Sequence, residues 1–302
     1  MTKKNKLLGN ILLLIAAIIW GTAFAFQRVG MDSIEPITFA ASRMTLSAVV
    51  VGAFSLFFKT PNEFTEEEKR KYNKNTVLGG ICCGVFLAFA SIAQQMGIVY
   101  TSAGKAGFIT ALYMLFVPVI NFFIFRKRNT ILVWGAVALG VFGMYLLCMN
   151  ESFSLAYGDT LVLICAILFS GHILCCDYFV NLGNPIKISA IQFVTTAIIS
   201  WIAAFLTEVP SVDKIVSAAI PILYCGIMSG GMGYTLQIVA QKHTEPATAS
   251  LLMSLESVFA VIAGALILNE QMLARELIGC AVMFAAIIIV QIPSKSSAIS
   301  ND

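Results

Sequence analysis

The chain has 302 residues, of which 59% are hydrophobic and only 12% are charged, and its mean hydropathy is +0.88. Soluble globular domains average about 45–50% apolar and about 25% charged residues, so this composition excludes a soluble protein and predicts an integral membrane protein. The formal net charge of +3 is small, and its distribution along the chain is more informative than its size.

Ten apolar segments are each long enough to cross a bilayer as a helix, which takes roughly 20 residues. Transmembrane β-strands are much shorter and alternate in polarity, so they do not explain these segments. The predicted spans are 7–26, 36–58, 76–95, 102–125, 131–149, 158–176, 186–207, 217–239, 247–268 and 274–292. We therefore predict an all-α integral membrane protein with ten transmembrane helices.

The sequence contains an internal repeat. Residues 12–18 return as residues 161–167 with five of seven residues identical, at an offset of 149, and the same offset relates Pro36 to Pro185. Further identical residues are related by an offset of 143: Gln94/Gln237, Thr101/Thr244, Ala106/Ala249, Leu112/Leu255 and Phe116/Phe259. The chain is thus predicted to consist of two related units, residues 1–150 and residues 151–302.

Each unit contains five predicted spans, and this odd number has a consequence for topology. A unit that crosses the membrane five times ends on the opposite face, so the second unit begins there and is inverted relative to the first. Inverted repeats of this kind are typical of secondary transporters.

The loop cations determine the orientation. With the N-terminus inside, fourteen lysines and arginines fall on the cytoplasmic side and only three, Arg28, Lys214 and Arg275, on the other. The positive-inside rule then places both termini in the cytoplasm. The longest loop, 59–75, contains a capping-box pattern that starts at Thr65. We expect this loop to form a short amphipathic helix on the cytoplasmic surface.

Two repeat-related positions lie near the middle of the membrane. Glu256 is nine residues into its span, which is about 14 Å deep at 1.5 Å per residue, and its counterpart at the offset of 143 is Tyr113. A charge at this depth costs about 2.5–3.5 kcal/mol on insertion scales, so it usually faces a cavity or a partner. We predict that Glu256 binds a proton or a substrate amine. A buried structural hydrogen bond is the alternative.

Three further ionisable residues lie within spans. Lys105 is close to the extracytoplasmic end of span 4, and it either extends to the interface or pairs with Glu256 or an anionic substrate group. Arg43 is roughly 10 Å deep in span 2 and either faces the cavity or has a structural role. His172 in span 6 is a candidate proton relay, with a structural hydrogen bond as the simpler interpretation.

Neutral polar and aromatic residues complete the candidate site. Gln94 and Gln237 either contact substrate or hydrogen-bond between helices. Trp20 and Tyr113 lie too deep for the interfacial aromatic belt and either line a pocket or pack in the core. The eight cysteines fall within spans or at their ends without metal-binding spacing, so we predict no metal site.

Several motifs resemble those of a known family. Span 1 ends in Trp-Gly-Thr at 20–22, span 4 begins YTSAGKAGFITAL at 100–112, and span 9 contains LESVFA at 255–260 followed by LNE at 268–270. Together with ten spans in two halves, these motifs resemble the EamA-like transporters of the drug/metabolite transporter superfamily. Ser257 stands where many members carry proline.

The resemblance implies a transporter that moves small metabolites, often amino acids, outward across the cytoplasmic membrane. We therefore predict a secondary carrier that works by alternating access, with the proton as candidate coupling ion. The sequence has no Walker motif, HExxH or GxSxG, so neither an ATP-driven pump nor an enzyme is predicted, and nothing points to a cofactor or a nucleic-acid partner. A multidrug exporter, a channel and a non-transporting scaffold are the alternatives, and the oligomeric state stays open.

Overall fold

A computed structural model describes residues 3–58, 64–124, 126, 130–148, 156–269, 271 and 273–291. These residues form fourteen α-helices and one π-helix, and no strand occurs among them. The α-helices are α1 (Lys3–Gly30), α2 (Pro36–Ser55), α3 (Glu66–Ile98), α4 (Ala103–Thr110), α5 (Tyr113–Phe123), α6 (Ile131–Cys148), α7 (Tyr157–Val180), α8 (Pro185–Thr207), α9 (Val212–Ser217), α10 (Ala219–Leu223), α11 (Thr235–Gln241), α12 (Pro246–Met253), α13 (Glu256–Ile267) and α14 (Ala274–Gln291). The π-helix, Tyr224–Tyr234, lies between α10 and α11.

Ten apolar helical segments follow one another in the order predicted. Eight are long and apolar enough to cross a membrane: Asn5–Gly30, Pro36–Ser55, Glu66–Ile98, Ala103–Phe123, Tyr157–Val180, Pro185–Thr207, Ala219–Gln241 and Pro246–Ile267. Two shorter apolar helices, Ile131–Gly143 and Leu277–Ala286, occupy the positions of spans 5 and 10. Large apolar side chains such as Ile18, Phe89 and Ile198 are exposed on the outer surface, as contact with lipid requires. The all-α membrane fold is confirmed.

The polar segment before span 3 does not form a separate helix. Thr65 caps α3 as predicted, because its backbone N–H donates to Glu68 Oε2 at 2.8 Å and its hydroxyl accepts from the Glu68 N–H at 3.3 Å. From this cap α3 continues without interruption to Ile98. The expected short surface helix is therefore wrong, because no glycine or proline separates it from the membrane span and helix propagation continues.

The helices of the first half of the chain pack mainly against helices of the second half. Helix α1 packs against α13, α2 against α8 and the π-helix, α3 against α7 and α8, and α6 against α14. Each of these contacts joins a helix before residue 150 to one after it. The largest buried apolar cluster accordingly draws on both halves, so the core lies between the repeats and not within each of them.

One interhelical contact occurs twice and relates the two halves. The Thr196 hydroxyl of α8 donates to the Gly84 carbonyl of α3 at 3.0 Å, and the Ser47 hydroxyl of α2 donates to the Gly226 carbonyl at 2.7 Å. Ser47 and Thr196 are related by the offset of 149. Glycine is needed in both places, because a Cβ on either would lie within 3 Å of the facing helix.

The π-helix accommodates one extra residue in the second half. Gly84 and Gly226, which make equivalent contacts, differ by 142 positions, whereas Gln94 and Gln237 differ by 143. The additional residue falls between Gly226 and Gln237, where the chain adopts the wider π conformation. Such insertions into helices occur frequently at functional sites.

Contacts between loops support the predicted alternation of the spans. The Glu208 carboxylate accepts from the Thr38 backbone N–H at 2.7 Å, and Lys214 forms an ion pair with Glu35. Both contacts join the start of span 2 to the segment that follows span 7, which are predicted to share the extracytoplasmic face. The Lys214 ammonium, which hydrogen-bonds to Glu35, lowers the pKa of that carboxyl.

Neighbouring thiols give a direct test of the contact between α3 and α7. The Sγ atoms of Cys83 and Cys175 are 3.4 Å apart, and Cys175 is only partly buried. We expect oxidation by copper phenanthroline to join them in a disulfide, because thiols at this distance need little movement to bond. Loss of two free thiols and a cross-linked α3–α7 peptide in mass spectrometry are the readouts. The single variant Cys175→Ala should abolish this peptide. Its absence from the oxidised wild type would contradict the contact.

Candidate functional site

Two membrane helices are interrupted halfway along their length. The breaks are at residues 111–112 between α4 and α5, and at residues 254–255 between α12 and α13. Their backbones are nearly identical, with ψ of −8° and −15° in the first break and −14° and −16° in the second. Tyr113 and Glu256 are the first helical residues after the breaks. The breaks occur without proline at the break positions and are short 3₁₀-like turns, because the Leu112 and Leu255 N–H groups donate to carbonyls three residues earlier, and such turns within a helix often mark a hinge.

The side chains that follow the breaks line one cavity between the two halves. Its solvent-accessible volume is about 30 Å³, room for about two water molecules. A metabolite does not fit into this volume, so the structure represents a state that is closed around the site. Entry of a substrate requires the surrounding helices to move apart.

The cavity is lined mainly by equivalent positions of the two repeats. Most of its lining residues form pairs at the repeat offsets: Trp20/Phe169, Phe24/Ile173, Gln94/Gln237, Thr110/Met253 and Tyr113/Glu256. Gln27, Arg43, Ser229 and Tyr234 complete the lining. A site built from equivalent positions of inverted repeats has similar surroundings towards both faces of the membrane, as alternating access requires.

Glu256 is buried in this cavity without a full set of partners. Its side chain is 4% exposed, and Oε1 has no hydrogen-bond partner. The Tyr113 hydroxyl lies close enough to interact with this carboxyl, but the hydroxyl makes no hydrogen bond of good geometry. An unsatisfied buried polar group costs about 1–3 kcal/mol. A proton, a water molecule or a substrate group at Glu256 would remove this cost.

Arg43 is a second buried ionisable residue in the cavity. Its side chain is 2% exposed, and neither Nε nor Nη2 has a hydrogen-bond partner. None of the ion pairs found among the described residues includes it. The sequence left a cavity-facing position and a structural role open for Arg43, and the structure places its side chain in the cavity lining.

Trp20 closes one side of the cavity together with Tyr234. The indole Nε1 of Trp20 donates to the Ser229 carbonyl at 3.0 Å, and its ring lies 4.8 Å from the Tyr234 ring. Ser229 and Tyr234 both belong to the π-helix. The extra residue in that helix therefore coincides with the segment that supplies one wall of the cavity.

The two glutamines related by the repeat both line the cavity and both donate hydrogen bonds. Gln94 Nε2 donates to the Thr110 hydroxyl at 3.3 Å. Gln237 Nε2 donates to Gln241 Oε1 at 3.2 Å, which leaves Gln237 Oε1 without a partner. The Gln94 bond joins α3 to α4, whereas the Gln237 bond lies within α11, and the free oxygen of Gln237 is available to a ligand.

His172 lies outside the cavity lining. It is fully buried, and Nε2 is 2.9 Å from Gln192 Oε1. Its ring meets the Tyr234 ring edge to face at 5.8 Å between centroids. The contacts favour a structural role behind Tyr234 over the predicted candidate role as a proton relay.

Lys105 pairs with Asp159 and not with Glu256. The Nζ of Lys105 is 2.5 Å from Asp159 Oδ2, and the Asp159 side chain is 2% exposed. Lys105 lies eight residues before Tyr113, which is about 12 Å along the helix direction. The first turn of α7, which contains Asp159, is adjacent to Lys105. Lys105 is not among the residues that line the cavity.

The Lys105–Asp159 pair is expected to stabilise the fold. Replacing Asp159 with asparagine leaves a partly buried ammonium without its counter-charge, and we expect a loss of about 1–3 kcal/mol, below the roughly 3–5 kcal/mol of a fully buried pair. Thermal unfolding in detergent measures it. Glu66→Gln, which breaks an exposed pair with Lys69, is the control and should change stability by less than about 1 kcal/mol. In Lys105→Met/Asp159→Asn the loss should be smaller than the sum of the single losses. Additive losses would refute the pairing.

Some residues that make important contacts in the structure carried no separate signal in the sequence. Asp159 follows a short loop at the start of a span, where acidic residues are common helix caps. Tyr234 has the ordinary appearance of a buried aromatic residue. Phe169 could have been found, because the offset of 149 carries Trp20 onto it.

Comparison with known proteins agrees with this architecture. The model of the EamA-like transporter family matches residues 7–149 and again residues 156–292. An uncharacterized transporter of Archaeoglobus fulgidus is 26% identical over 293 residues, which cover 95% of this chain and 87% of the relative. The uncharacterized transporter YoaV of Bacillus subtilis is 22% identical over 268 residues, covering 87% of this chain and 89% of that protein.

A solved crystal structure has the same fold. It superposes with a TM-score of 0.73 at 17% sequence identity, and the match covers 96% of this chain and 97% of the other. The two matches of the family model together span nearly all of the sequence. The chain therefore belongs to the EamA-like transporter family of the drug/metabolite transporter superfamily, and it is a multi-pass membrane transporter.

Proposed function

We propose that the protein is a secondary transporter that moves a small metabolite, such as an amino acid, by alternating access. The closed cavity between the repeats is the observation that supports this most strongly, because most of its lining residues occupy equivalent positions and two of them follow equivalent helix breaks. When inverted repeats exchange their conformations, a site between them becomes open to the other face of the membrane. We propose export across the cytoplasmic membrane as the direction of transport, on the basis of the family resemblance. We also propose that both termini lie inside, because the positively charged loops then face the cytoplasm.

We further propose the proton as the coupling ion and Glu256 as its site. The carboxyl is buried in the cavity and Oε1 is unpaired. A carboxyl in this position can exist in the protonated form in one conformation and lose its proton when the site opens to water. Intramembrane carboxyls mark proton pathways in many transporters.

A multidrug exporter is the second candidate, and one observation favours it. Five aromatic side chains line the cavity: Trp20, Phe24, Tyr113, Phe169 and Tyr234. Such walls suit flat apolar compounds. The presence of Arg43 disfavours lipophilic cations, since its guanidinium would repel them at close range.

Flux in proteoliposomes tests the proposed function. A carrier of amino acids is expected to show saturable uptake of a labelled substrate and counterflow when vesicles are preloaded with the unlabelled compound. Substrates are chosen by a thermal-shift screen of purified protein against amino acids, nucleosides and cationic drugs, because a ligand of the folded state raises its apparent stability. Flux without saturation or counterflow indicates a channel, and the absence of flux for every compound that binds indicates a scaffold. Either result would overturn the proposal.

A further inference from the structure

Among the residues that the structure describes, Arg43 forms no ion pair. Its guanidinium is almost fully buried, and Nε and Nη2 are unpaired. The Tyr234 phenol and the thiols of Cys165 and Cys225, which are neutral when protonated, lie near enough to interact with it electrostatically. A buried charge that lacks both a counter-ion and hydrogen bonds is strongly unfavourable, so the fold alone does not explain why the arginine is there.

The repeat shows what the fold needs at this position. The offset of 149 carries Arg43 onto Gln192 in α8. Gln192 is fully buried and uncharged, and its Oε1 is bonded to His172. Both residues sit at the same interhelical contact, since their carbonyl oxygens face Gly226 and Gly84, where an added Cβ would lie 3.0 Å and 2.7 Å from them. A neutral side chain therefore fits at this position, with Nε2 as its one unpaired atom, and the charge is an addition in one half only.

The lining carboxyl of Glu256 forms no direct contact pair with Arg43. Glu256 lines the same cavity, but no ion pair joins it to Arg43 in the described part of the chain. The guanidinium thus keeps its Nε and Nη2 donors free. Such a fork matches the two oxygens of a carboxylate or phosphate and binds them through two parallel hydrogen bonds.

On the basis of the proposed transport function, we propose that the substrate carries an oxyanion group, a carboxylate or a phosphate, and that Arg43 binds this group. The apolar part of the substrate then lies against the aromatic wall formed by Trp20 and Tyr234, whose rings are 4.8 Å apart. The oxyanion group of the substrate neutralises the buried guanidinium, so the free energy of the site is lower when it is occupied than when it is empty. Because the counterpart of Arg43 is uncharged, the substrate binds in one orientation.

The test measures binding to purified protein in detergent by calorimetry, at constant chloride. Four probes share one phenyl skeleton: 3-phenylpropionate, phenethyl phosphate, 3-phenylpropionamide and phenethylamine. We expect at least one anion to bind roughly ten- to hundred-fold more tightly than the amide and the amine, which is the range for a charge-assisted contact. The two anions distinguish a carboxylate site from a phosphate site.

The variants assign the effect to Arg43. Arg43→Gln should weaken binding of the preferred anion to the level of the amide, and Arg43→Lys should give an intermediate affinity. Lys187→Gln removes the same charge at the partly exposed start of α8, outside the cavity lining, and should change no affinity. An equal loss in this control would mean that general charge, and not the site, attracts the anion, and would overturn the proposal.

The probe series with the wild-type protein remains decisive if Arg43→Gln fails to fold. Failure of both anions to bind more tightly than the amide overturns the proposal, and so does competition by millimolar chloride that removes their advantage. Because binding is measured without a membrane gradient, it is independent of flux. Arg43-dependent anion binding without transport would refute the proposed function alone, and transport of neutral or cationic compounds only would refute this inference alone.

Discussion

Replacement of Glu256 by glutamine is expected to abolish proton-driven accumulation while exchange of substrate continues. Glutamine keeps the shape of the side chain but cannot bind and release a proton at the pH of the assay. In proteoliposomes with an imposed difference of about 1 pH unit, one coupled proton supports up to roughly ten-fold accumulation. The wild type should approach this ratio, whereas the variant should reach only the concentration outside the vesicles. Counterflow without a pH difference should persist in both.

A matched control separates the cavity carboxyl from carboxyls in general. Glu245 immediately precedes the same interrupted helix but is exposed at its N-terminal end. Glu245→Gln should therefore leave accumulation unchanged. If Glu256→Gln accumulates substrate as strongly as the wild type and with the same pH dependence, the proton site is elsewhere. Loss of both accumulation and counterflow, with a normal elution profile in gel filtration, would instead make Glu256 a substrate ligand.

Gly21→Ala is expected to lower stability and transport together. A Cβ at this position would lie 2.4 Å from Phe259 Cβ and 2.5 Å from the Glu256 carbonyl oxygen. Helix α1 therefore approaches the backbone of α13 at the residue that follows the helix break, and any side chain pushes the two apart. Overpacking of this kind costs about 1–3 kcal/mol. Thermal unfolding in detergent gives the loss of stability, and flux in proteoliposomes gives the loss of transport.

The sign of this effect is diagnostic, because alanine normally favours a helix over glycine by about 1 kcal/mol. Gly52 in α2 is the control, since a Cβ there would meet no atom within 4 Å. Gly52→Ala should be as stable as the wild type or more stable. Equal stability of Gly21→Ala and Gly52→Ala would show that α1 does not need its close approach to α13.

The two predictions concern one region of the molecule. Gly21 allows α1 to contact α13 at the break, and Trp20, its neighbour in sequence, faces the cavity and bonds to the π-helix. A change in the angle between α1 and α13 would therefore alter the surroundings of Glu256 and of the aromatic wall together. We expect the opening of the site to involve this contact, because the closed cavity is too small for a metabolite.

Sequence alone determined the class of fold, the number and order of the apolar helices and the repeat. These features depend on local quantities: the length of an apolar segment against the thickness of the bilayer, and similarity at a fixed offset. The same offset pointed to Tyr113 and Glu256 as matched positions near the midplane, and both line the cavity. For Trp20, Gln94 and Gln237 the sequence left open whether each lines the cavity or only contacts other helices, and the structure places all three in the lining.

Only the tertiary structure decided which partners the buried ionisable residues have. Lys105 pairs with Asp159, 54 positions away in sequence, and His172 bonds to Gln192 behind the cavity, whereas Arg43 is left without a partner. Such outcomes depend on which helix faces which, and the rotation of a helix about its axis is fixed by packing against its neighbours. The helix breaks and the π-helix also became visible only in three dimensions, because one extra residue and two altered ψ angles leave no reliable mark in an apolar sequence.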